Sequence, residues 1–279
     1  MKWLFVLLLA VIIFGGSAWF GYNLFFKQEI AVQKEQRGEV KSEPAPDIGL
    51  PEFQAAAKLR QEGKLPEARA ALSVFIQKFP NGLHVAEAKD LMGEINVEIL
   101  LSRTPSPEKT EYLVKPGDVL QKVANRVKST PELIMRMNSL NGTMLHIGEK
   151  LLISHPDFSL VVQRKPKLIV LLDHGSFFKQ YHVRELKLSP KQAPKIVAKV
   201  AETMAFRDGK RVGFGTKEFI GSTRWIRLSS AAHTIYSLPD GTHPRLGQEP
   251  PPSGIGLAAG DVEELSSLVN KRTPVTIID

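Results

Sequence analysis

The side chains that could carry out chemistry in this chain are restricted, because its 279 residues include no cysteine. The chain therefore has no thiol nucleophile, no thiolate metal ligand and no disulfide. A serine hydroxyl can replace a thiol only beside a base that takes its proton, and Ser253 with His233 is the pair to consider. Because no base adjoins Ser253 in the sequence, we expect His233 to be structural. His174 and His182 flank one predicted hairpin, and we predict no metal site and no cofactor.

A different kind of chemistry, non-covalent contact with a ligand, is indicated by a pattern near the middle of the chain. The segment Tyr112–Leu120 alternates and then turns at Pro116-Gly117-Asp118, where glycine permits a tight turn and aspartate can cap the following helix. Apolar residues then recur at helical spacing, and Thr130-Pro131 starts a second short helix. After a turn, Leu151–Ile153 returns as a strand. This order predicts a βααβ unit over residues 111–154.

These residues resemble the lysin motif, or LysM domain. The family pattern runs Tyr-x-Val-x-x-Gly-Asp-Thr-Leu, an Ile-Ala pair, Asn-x-Leu, and Gly-Gln/Glu-x-Leu-x-Ile. Here Tyr112–Leu120 matches the first part, Asn138 the third, and the run Ile147-Gly-Glu-Lys-Leu-Leu-Ile153 the last. The main departure is Val119, where the family has threonine. The resemblance spans the whole unit and implies binding to glycans that contain N-acetylglucosamine, chiefly bacterial peptidoglycan.

The resemblance also implies where the sugar lies, in a shallow groove between the loop after the first strand and the loop before the second. Carried over to this sequence, the groove residues are Gly117, Asp118, Val119, Leu120, Met144, Leu145, His146 and Ile147. Acetamido sugars need backbone donors and acceptors together with a small apolar floor for the methyl group. The alternative is that Leu120 and Ile147 belong only to the core and that the groove has lost its ligand.

The N-terminal residues predict a membrane anchor over residues 1–27. Trp3–Phe26 is almost continuously apolar, and a helix of this length reaches about 36 Å, enough to cross a bilayer core. The alternative is a secretory signal cleaved after Gly16-Ser17-Ala18, which would leave an apolar new terminus. Residues 28–51 are polar, contain prolines and predict a linker.

Two charge arguments bear on location and partners. Lysines and arginines after the apolar span favour a cytoplasmic position for the rest of the chain. A glycan-binding module requires the opposite orientation, so we expect a protein of the cell envelope, anchored in the cytoplasmic membrane with its domains outside the cytoplasm. The formal net charge of +8 suits an anionic envelope polymer or membrane surface. Because the basic residues are spread along the chain, no nucleic-acid partner is predicted.

Residues 52–102 predict helices throughout. Gly63 interrupts the first helix, Pro66 restarts the chain, and Pro80-Asn81-Gly82 ends the second helix before a third. The spacing of the small and apolar residues resembles one tetratricopeptide repeat, and no second repeat follows. A single repeat is better suited to a helical spacer or self-association hairpin than to a peptide-binding groove, although a protein partner here stays an alternative. Residues 103–110 predict a second linker.

From residue 158 to residue 279 the pattern changes to short strands with one late helix. Strands are predicted at Phe158–Gln163, Leu168–Leu172, Phe177–Val183, Lys195–Val200, Phe219–Ser229 and Lys271–Ile278, with a hairpin turn at Asp173–Ser176 and a helix at Asp261–Val269. This order resembles the L,D-transpeptidase catalytic domain, a β-rich fold that often follows lysin motifs. The most specific pieces are Gly221–Leu228, and Asp261–Leu265 followed by Thr273–Ile277.

The second resemblance implies a cysteine nucleophile that this chain lacks. The family carries it in the run Ser-His-Gly-Cys-Ile-Arg-Leu, shortly before the aspartate that opens the last helix. Aligned on Asp261, Gly254 stands at the cysteine position and Ser253 at the glycine before it, while His233 matches the upstream histidine. These three are vestigial positions, and the resemblance implies a domain that keeps its core without catalysis.

Together the patterns predict a multidomain α+β protein with a transmembrane helix, a helical hairpin, a βααβ LysM module and a β-rich, L,D-transpeptidase-like domain over residues 158–279. The leading hypothesis is an envelope protein that holds peptidoglycan glycan strands through residues 111–154. The alternatives are an active cell-wall transpeptidase or hydrolase with a non-cysteine nucleophile, and an envelope scaffold that binds protein.

Overall fold

A computed structural model describes residues 47–103, 106–188, 193–230, 233–238 and 253–279. The predicted membrane anchor at 1–27 and most of the predicted linker at 28–51 lie outside these ranges. Among the residues described, none of the helices is long and apolar enough to cross a membrane. Residues Gly49–Asp279 form one compact unit. Because the first helix of this unit already begins at Leu50, the linker ends before residue 51.

Three helices open the unit and confirm the helical prediction for residues 52–102. They are α1 (Leu50–Gln61), α2 (Leu65–Lys78) and α3 (Val85–Leu101). Pro51 and Pro66 lie in the first turns of α1 and α2, where their missing amide hydrogens cost nothing. The core cluster of this layer consists of Ala56, Ala68, Leu72, Phe75, Val85, Ala88, Ile95 and Ile99. The relation to a tetratricopeptide repeat stays a prediction.

The predicted βααβ unit is confirmed. It consists of β1 (Lys109–Leu113), α4 (Leu120–Arg126), α5 (Pro131–Asn138) and β2 (Lys150–Ser154), with the two strands antiparallel. The predicted linker at 103–110 is shorter than expected, because Lys109 already pairs within β1. The Lys109 ammonium is buried and donates a hydrogen bond of 2.7 Å to the carbonyl oxygen of Ile99 in α3. This contact fixes the unit to the end of the helical layer.

Among the described residues, the C-terminal region forms one large sheet and one α-helix. In the described part of the chain its main path follows the order β5-β4-β3-β12-β7-β9-β10-β11-β6, and β8 pairs with β7. The strands are β3 (Phe158–Gln163), β4 (Leu168–Asp173), β5 (Ser176–His182), β6 (Glu185–Lys187), β7 (Lys195–Arg207), β8 (Lys210–Val212), β9 (Thr223–Leu228), β10 (Thr234–Leu238), β11 (Gly254–Ala258) and β12 (Pro274–Ile278). The helix α6 (Ala259–Leu268) packs on β9, β10 and β11.

Several of these elements differ from the prediction. The strands β6, β8, β10 and β11 were not predicted, and β7 runs to Arg207 instead of ending at Val200. β6 and β8 are only three residues long, too short for an alternating pattern. All five residues of β11 are buried, so its sequence Gly-Ile-Gly-Leu-Ala has no polar face to mark it as a strand. The predicted strand from Phe219 begins instead at Thr223, after a short 3-10 helix.

The small βααβ unit shares its second helix with the large sheet. In α5, Ile134 is buried in the core of the unit itself, while Leu133 and Met137 are buried in the core of the sheet. The hydroxyl of Thr130 caps α5 by accepting from the Leu133 amide at 2.9 Å, and it also donates to the carbonyl oxygen of Ser267 in α6. Arg136 donates to the Ser267 hydroxyl at 2.8 Å. The two parts are therefore joined by the apolar contacts of Leu133 and Met137 and by the hydrogen bonds from Thr130 and Arg136 to Ser267.

Candidate functional site

The loop after β1 forms the first side of the predicted groove. Gly117 has φ of +80°, a left-handed conformation that a side chain would strain, which explains the glycine in the turn. The prediction that Asp118 caps the next helix is wrong, because α4 begins after Val119 without a side-chain cap. The Asp118 carboxylate instead accepts hydrogen bonds from the Tyr112 hydroxyl at 2.7 Å and the Lys115 amide at 2.9 Å. Asp118 thus closes the turn against β1.

Arg126 completes a cluster around this turn. Its guanidinium donates to Asp118 Oδ1 at 3.3 Å and to the Tyr112 hydroxyl. The hydrogen bond from Tyr112, followed by the one from the Lys115 amide, lowers the pKa of Asp118 below its usual value of 3.8. Tyr112 and Arg126 were not among the predicted site residues. The tyrosine at the start of the family pattern was the one feature of the sequence that could have indicated this hydrogen-bonded cluster.

We expect Asp118→Asn to flatten the acid dependence of stability. A carboxylate whose pKa is lowered by folding stabilises the native state at neutral pH, and this contribution disappears as the pH falls through the native pKa. Thermal melting followed by circular dichroism from neutral pH down to below 3.8 should show a smaller loss of stability in the variant than in the wild type. An identical loss in both proteins would contradict the role assigned to Asp118. Glu111→Gln, which removes a carboxylate in an exposed ion pair with Lys150, is the matched control.

The loop before β2 forms the second side of the groove. It is attached to the end of β1 by backbone hydrogen bonds of 2.9 Å, from Gly148 to Val114 and from Val114 to Glu149. The Glu149 carboxylate also accepts from the amide of His146 at 3.0 Å. These contacts hold the two predicted loops at the same end of the strand pair.

The predicted groove residues divide into an exposed and a buried set. Val119, Met144 and Ile147 expose 51%, 78% and 71% of their surface. Gly117 and His146 are also exposed. Leu120 is buried in the core of the unit, and Leu145 packs against the same core. Leu120 is therefore a core residue, whereas Ile147 lies on the surface.

The three positions predicted to be vestigial lie at the start of two neighbouring strands. β10 and β11 are parallel and pair Ile235 with Ile255, so His233 and Ser253 each lie two residues before a paired residue. His233 is buried, with its Nδ1 3.2 Å from the Ser230 hydroxyl. Gly254 has φ of +149°, and a Cβ atom there would lie 2.3 Å from the carbonyl oxygen of Thr234. The backbone at the predicted nucleophile position leaves no room for a side chain.

The other two histidines singled out by the sequence lie on the β4–β5 hairpin and contact separate carboxylates. His174 Nδ1 is 2.8 Å from Asp173, and His182 Nε2 is 3.0 Å from Asp90 of α3. His174 therefore belongs to the turn of the hairpin, and His182 joins the sheet to the helical layer.

Solved structures similar to this chain are L,D-transpeptidases. One from Mycobacterium smegmatis is 10% identical and covers 47% of this chain and 64% of its own, with a TM-score of 0.31. One from Enterococcus faecium is 13% identical and covers 49% and 56%, with a TM-score of 0.30. L,D-transpeptidase 3 from Mycobacterium tuberculosis is 11% identical and covers 58% and 88%, with a TM-score of 0.31. The chain thus spans less than two thirds of the length of the first two.

Comparisons of sequence give one result for the middle of the chain. No curated protein matches the sequence significantly. The family model for the LysM domain matches residues 112–154, which are the strands, helices and loops that carry the two sides of the groove. The turn with Gly117, the helix pair and the returning strand β2 all fall within the match. Residues 112–154 are a LysM domain.

Proposed function

We propose that this chain binds peptidoglycan through its LysM domain. The observation that carries the proposal is the family match over residues 112–154, together with exposed apolar side chains on both of its loops. Val119, Met144 and Ile147 offer an apolar surface to the acetamido methyl group, and the loop backbone offers hydrogen bonds to the sugar. N-acetylglucosamine in the glycan strand is the sugar proposed to lie there.

One shallow groove desolvates few atoms, so a single contact with a short sugar is weak. Useful affinity then comes from the many repeats of a polymer or from a second attachment point. We place the protein in the cell envelope with its domains outside the cytoplasm, attached through residues 1–27. The apolar composition of those residues supports this location. The helical layer serves as a spacer or as a surface for a protein partner.

We further propose that the C-terminal sheet is not catalytic. The sequence supplies no cysteine for the nucleophile of the family it resembles. The strand that begins at Gly254 is built around a residue without a side chain, which argues against a simple exchange of one nucleophile for another. The role of the sheet is then structural: it holds the LysM domain in place.

The test is a variant with Met144→Glu and Ile147→Glu, assayed by cosedimentation with purified peptidoglycan sacculi. We expect binding to weaken by at least about tenfold, because two carboxylates replace the apolar floor and repel an anionic polymer. The fold should persist, since both side chains are exposed.

The matched control carries Val74→Glu and Leu83→Glu, two exposed apolar residues of the helical layer, and has the same net charge. It should bind as the wild type does. Unchanged binding by the groove variant, or equal weakening in both variants, would refute binding at the groove.

A further inference from the structure

A cleft of about 770 Å³ lies between the LysM domain and the large sheet. One wall comes from α4 and the segment that leads into α5, and the other comes from β7, β8 and the segment after α6. Its volume is in the range of pockets that hold small ligands. The cleft is distinct from the vestigial positions, since neither His233 nor residues 253–254 line it.

The cleft carries an excess of positive charge. Its five cationic residues are Lys128, Arg211, Arg224, Lys271 and Arg272. Its two carboxylates are already paired, Glu202 with Arg211 and Arg227, and Glu132 with Arg224. Within the described part of the chain, the exposed side chains of Lys128, Lys271 and Arg272 have no ion-pair partner. Such a cluster attracts anions and concentrates them in the cleft.

The floor of the cleft contains buried polar groups that are incompletely paired. Arg224 exposes only 4% of its side chain, lies over the ring of Phe219 and donates to the Phe219 carbonyl oxygen at 3.2 Å. Its Nε and the hydroxyl of Ser129 have no hydrogen-bond partner among the described residues. Burial raises the pKa of Glu132, against the opposing effect of Arg224. Buried polar groups left unpaired are costly, and a polar ligand group offers them partners.

The cleft adjoins the predicted sugar groove. Gln121, which lines the cleft, lies in the first turn of α4, the helix that begins directly after the exposed groove residue Val119. On the other side, Thr143 precedes the groove residue Met144 and touches the loop after β8, where a Cβ atom on Gly215 would lie 3.0 Å from the Thr143 methyl group. Gly213 and Phe214 of that same loop line the cleft, so both groove loops continue into segments that form or contact the cleft wall.

We propose that the cleft binds carboxylate-bearing substituents of the same polymer whose sugars occupy the LysM groove. The ligand class is an acidic peptide attached to an amino sugar, with its free carboxylates facing Lys128, Lys271 and Arg272. This inference rests on the proposed function. It gives the weak groove a second attachment point, which multiplies affinity when both are filled by one ligand.

The experiment uses the full chain in mild detergent and two soluble probes measured by calorimetry. One probe is a neutral N-acetylglucosamine oligomer, and the other is a peptidoglycan fragment whose stem peptides carry free carboxylates. The cleft variant combines Lys128→Gln, Lys271→Gln and Arg272→Gln. The control combines Lys58→Gln, Lys165→Gln and Lys195→Gln, three exposed lysines outside the cleft, and has the same net charge.

We expect the cleft variant to bind the acidic fragment about tenfold more weakly than the wild type and the control do, with unchanged affinity for the neutral oligomer. Unchanged affinity for the acidic fragment in the cleft variant would overturn the inference, as would equal weakening by the control. A different outcome is a wild type that binds the acidic fragment but not the neutral oligomer. If the cleft variant then loses binding of the fragment, the result supports the cleft proposal and refutes the groove proposal.

Discussion

Gly254→Ala is expected to lower the free energy of unfolding by about 3 kcal/mol or more, and Gly254→Cys by at least as much. A Cβ atom at this position would lie 2.3 Å from the carbonyl oxygen of Thr234, and the ring of Tyr236 is the next neighbour at 3.1 Å. The nearest atom belongs to the backbone of a buried parallel strand, so it has no flexible side chain to move away. The φ of +149° adds strain for any residue other than glycine.

Urea denaturation followed by circular dichroism measures this loss. Gly260→Ala is the matched control, because it lies six residues along, in the first turn of α6, and a Cβ atom there meets nothing within 4 Å. We expect the control to stay within about 1 kcal/mol of the wild type. A Gly254→Ala protein as stable as the control would contradict the structure of β11. The cysteine variant has a further use, since it tests whether a thiol fits at this position at all.

Asn138→Ala is expected to destabilise the LysM domain by about 3 kcal/mol. The buried Asn138 amide donates hydrogen bonds of 2.8 Å to the carbonyl oxygens of Ile134 and Leu152, and its oxygen accepts from the Leu152 amide at 2.7 Å. Alanine would leave both backbone groups of Leu152 without these partners, between α5 and β2. This loss carries the full desolvation cost of the stranded groups rather than the smaller net value of a hydrogen bond.

The measurement is again urea denaturation, combined with cosedimentation with sacculi at increasing temperature. Binding should be lost at a lower temperature in the variant, because the loop that forms the second side of the groove leads directly into β2. Asn141→Ala is the control, since Asn141 is exposed in the following turn. If both variants unfold at the same urea concentration, the bridging role of Asn138 is wrong.

Much of this fold follows from local sequence signals. Pro66 and Pro131 stand in the first turns of α2 and α5, and the turn at His174-Gly175 joins β4 to β5 as predicted. These signals act within a few residues, so the sequence contains them completely. The LysM pattern is equally local, which explains why the βααβ order was predicted and the structure agrees with it.

The remaining features depend on contacts between distant parts of the chain. The position of Asp118 just before α4 favours a helix cap, and only the folded contacts show that its carboxylate faces Tyr112 and Arg126 instead. Likewise, β11 is recognisable only from its pairing with β6 and β10. The groove residues were assigned by family resemblance, and their pattern could not separate the buried Leu120 from the exposed Ile147. The cationic cleft combines residues up to about 150 positions apart, beyond any motif.

The division of α5 between two cores has a mechanical consequence. Because Leu133 and Met137 are embedded in the sheet while Ile134 belongs to the LysM core, the groove cannot swivel independently of the C-terminal body. If a glycan strand pulls on the groove, the force would act on the contact between α5 and α6, because no flexible linker separates the LysM domain from the sheet among the described residues. Separating the LysM domain from the sheet would expose Leu133 and Met137 to water, so the strength of the proposed attachment depends on this shared core as well as on the sugar contacts.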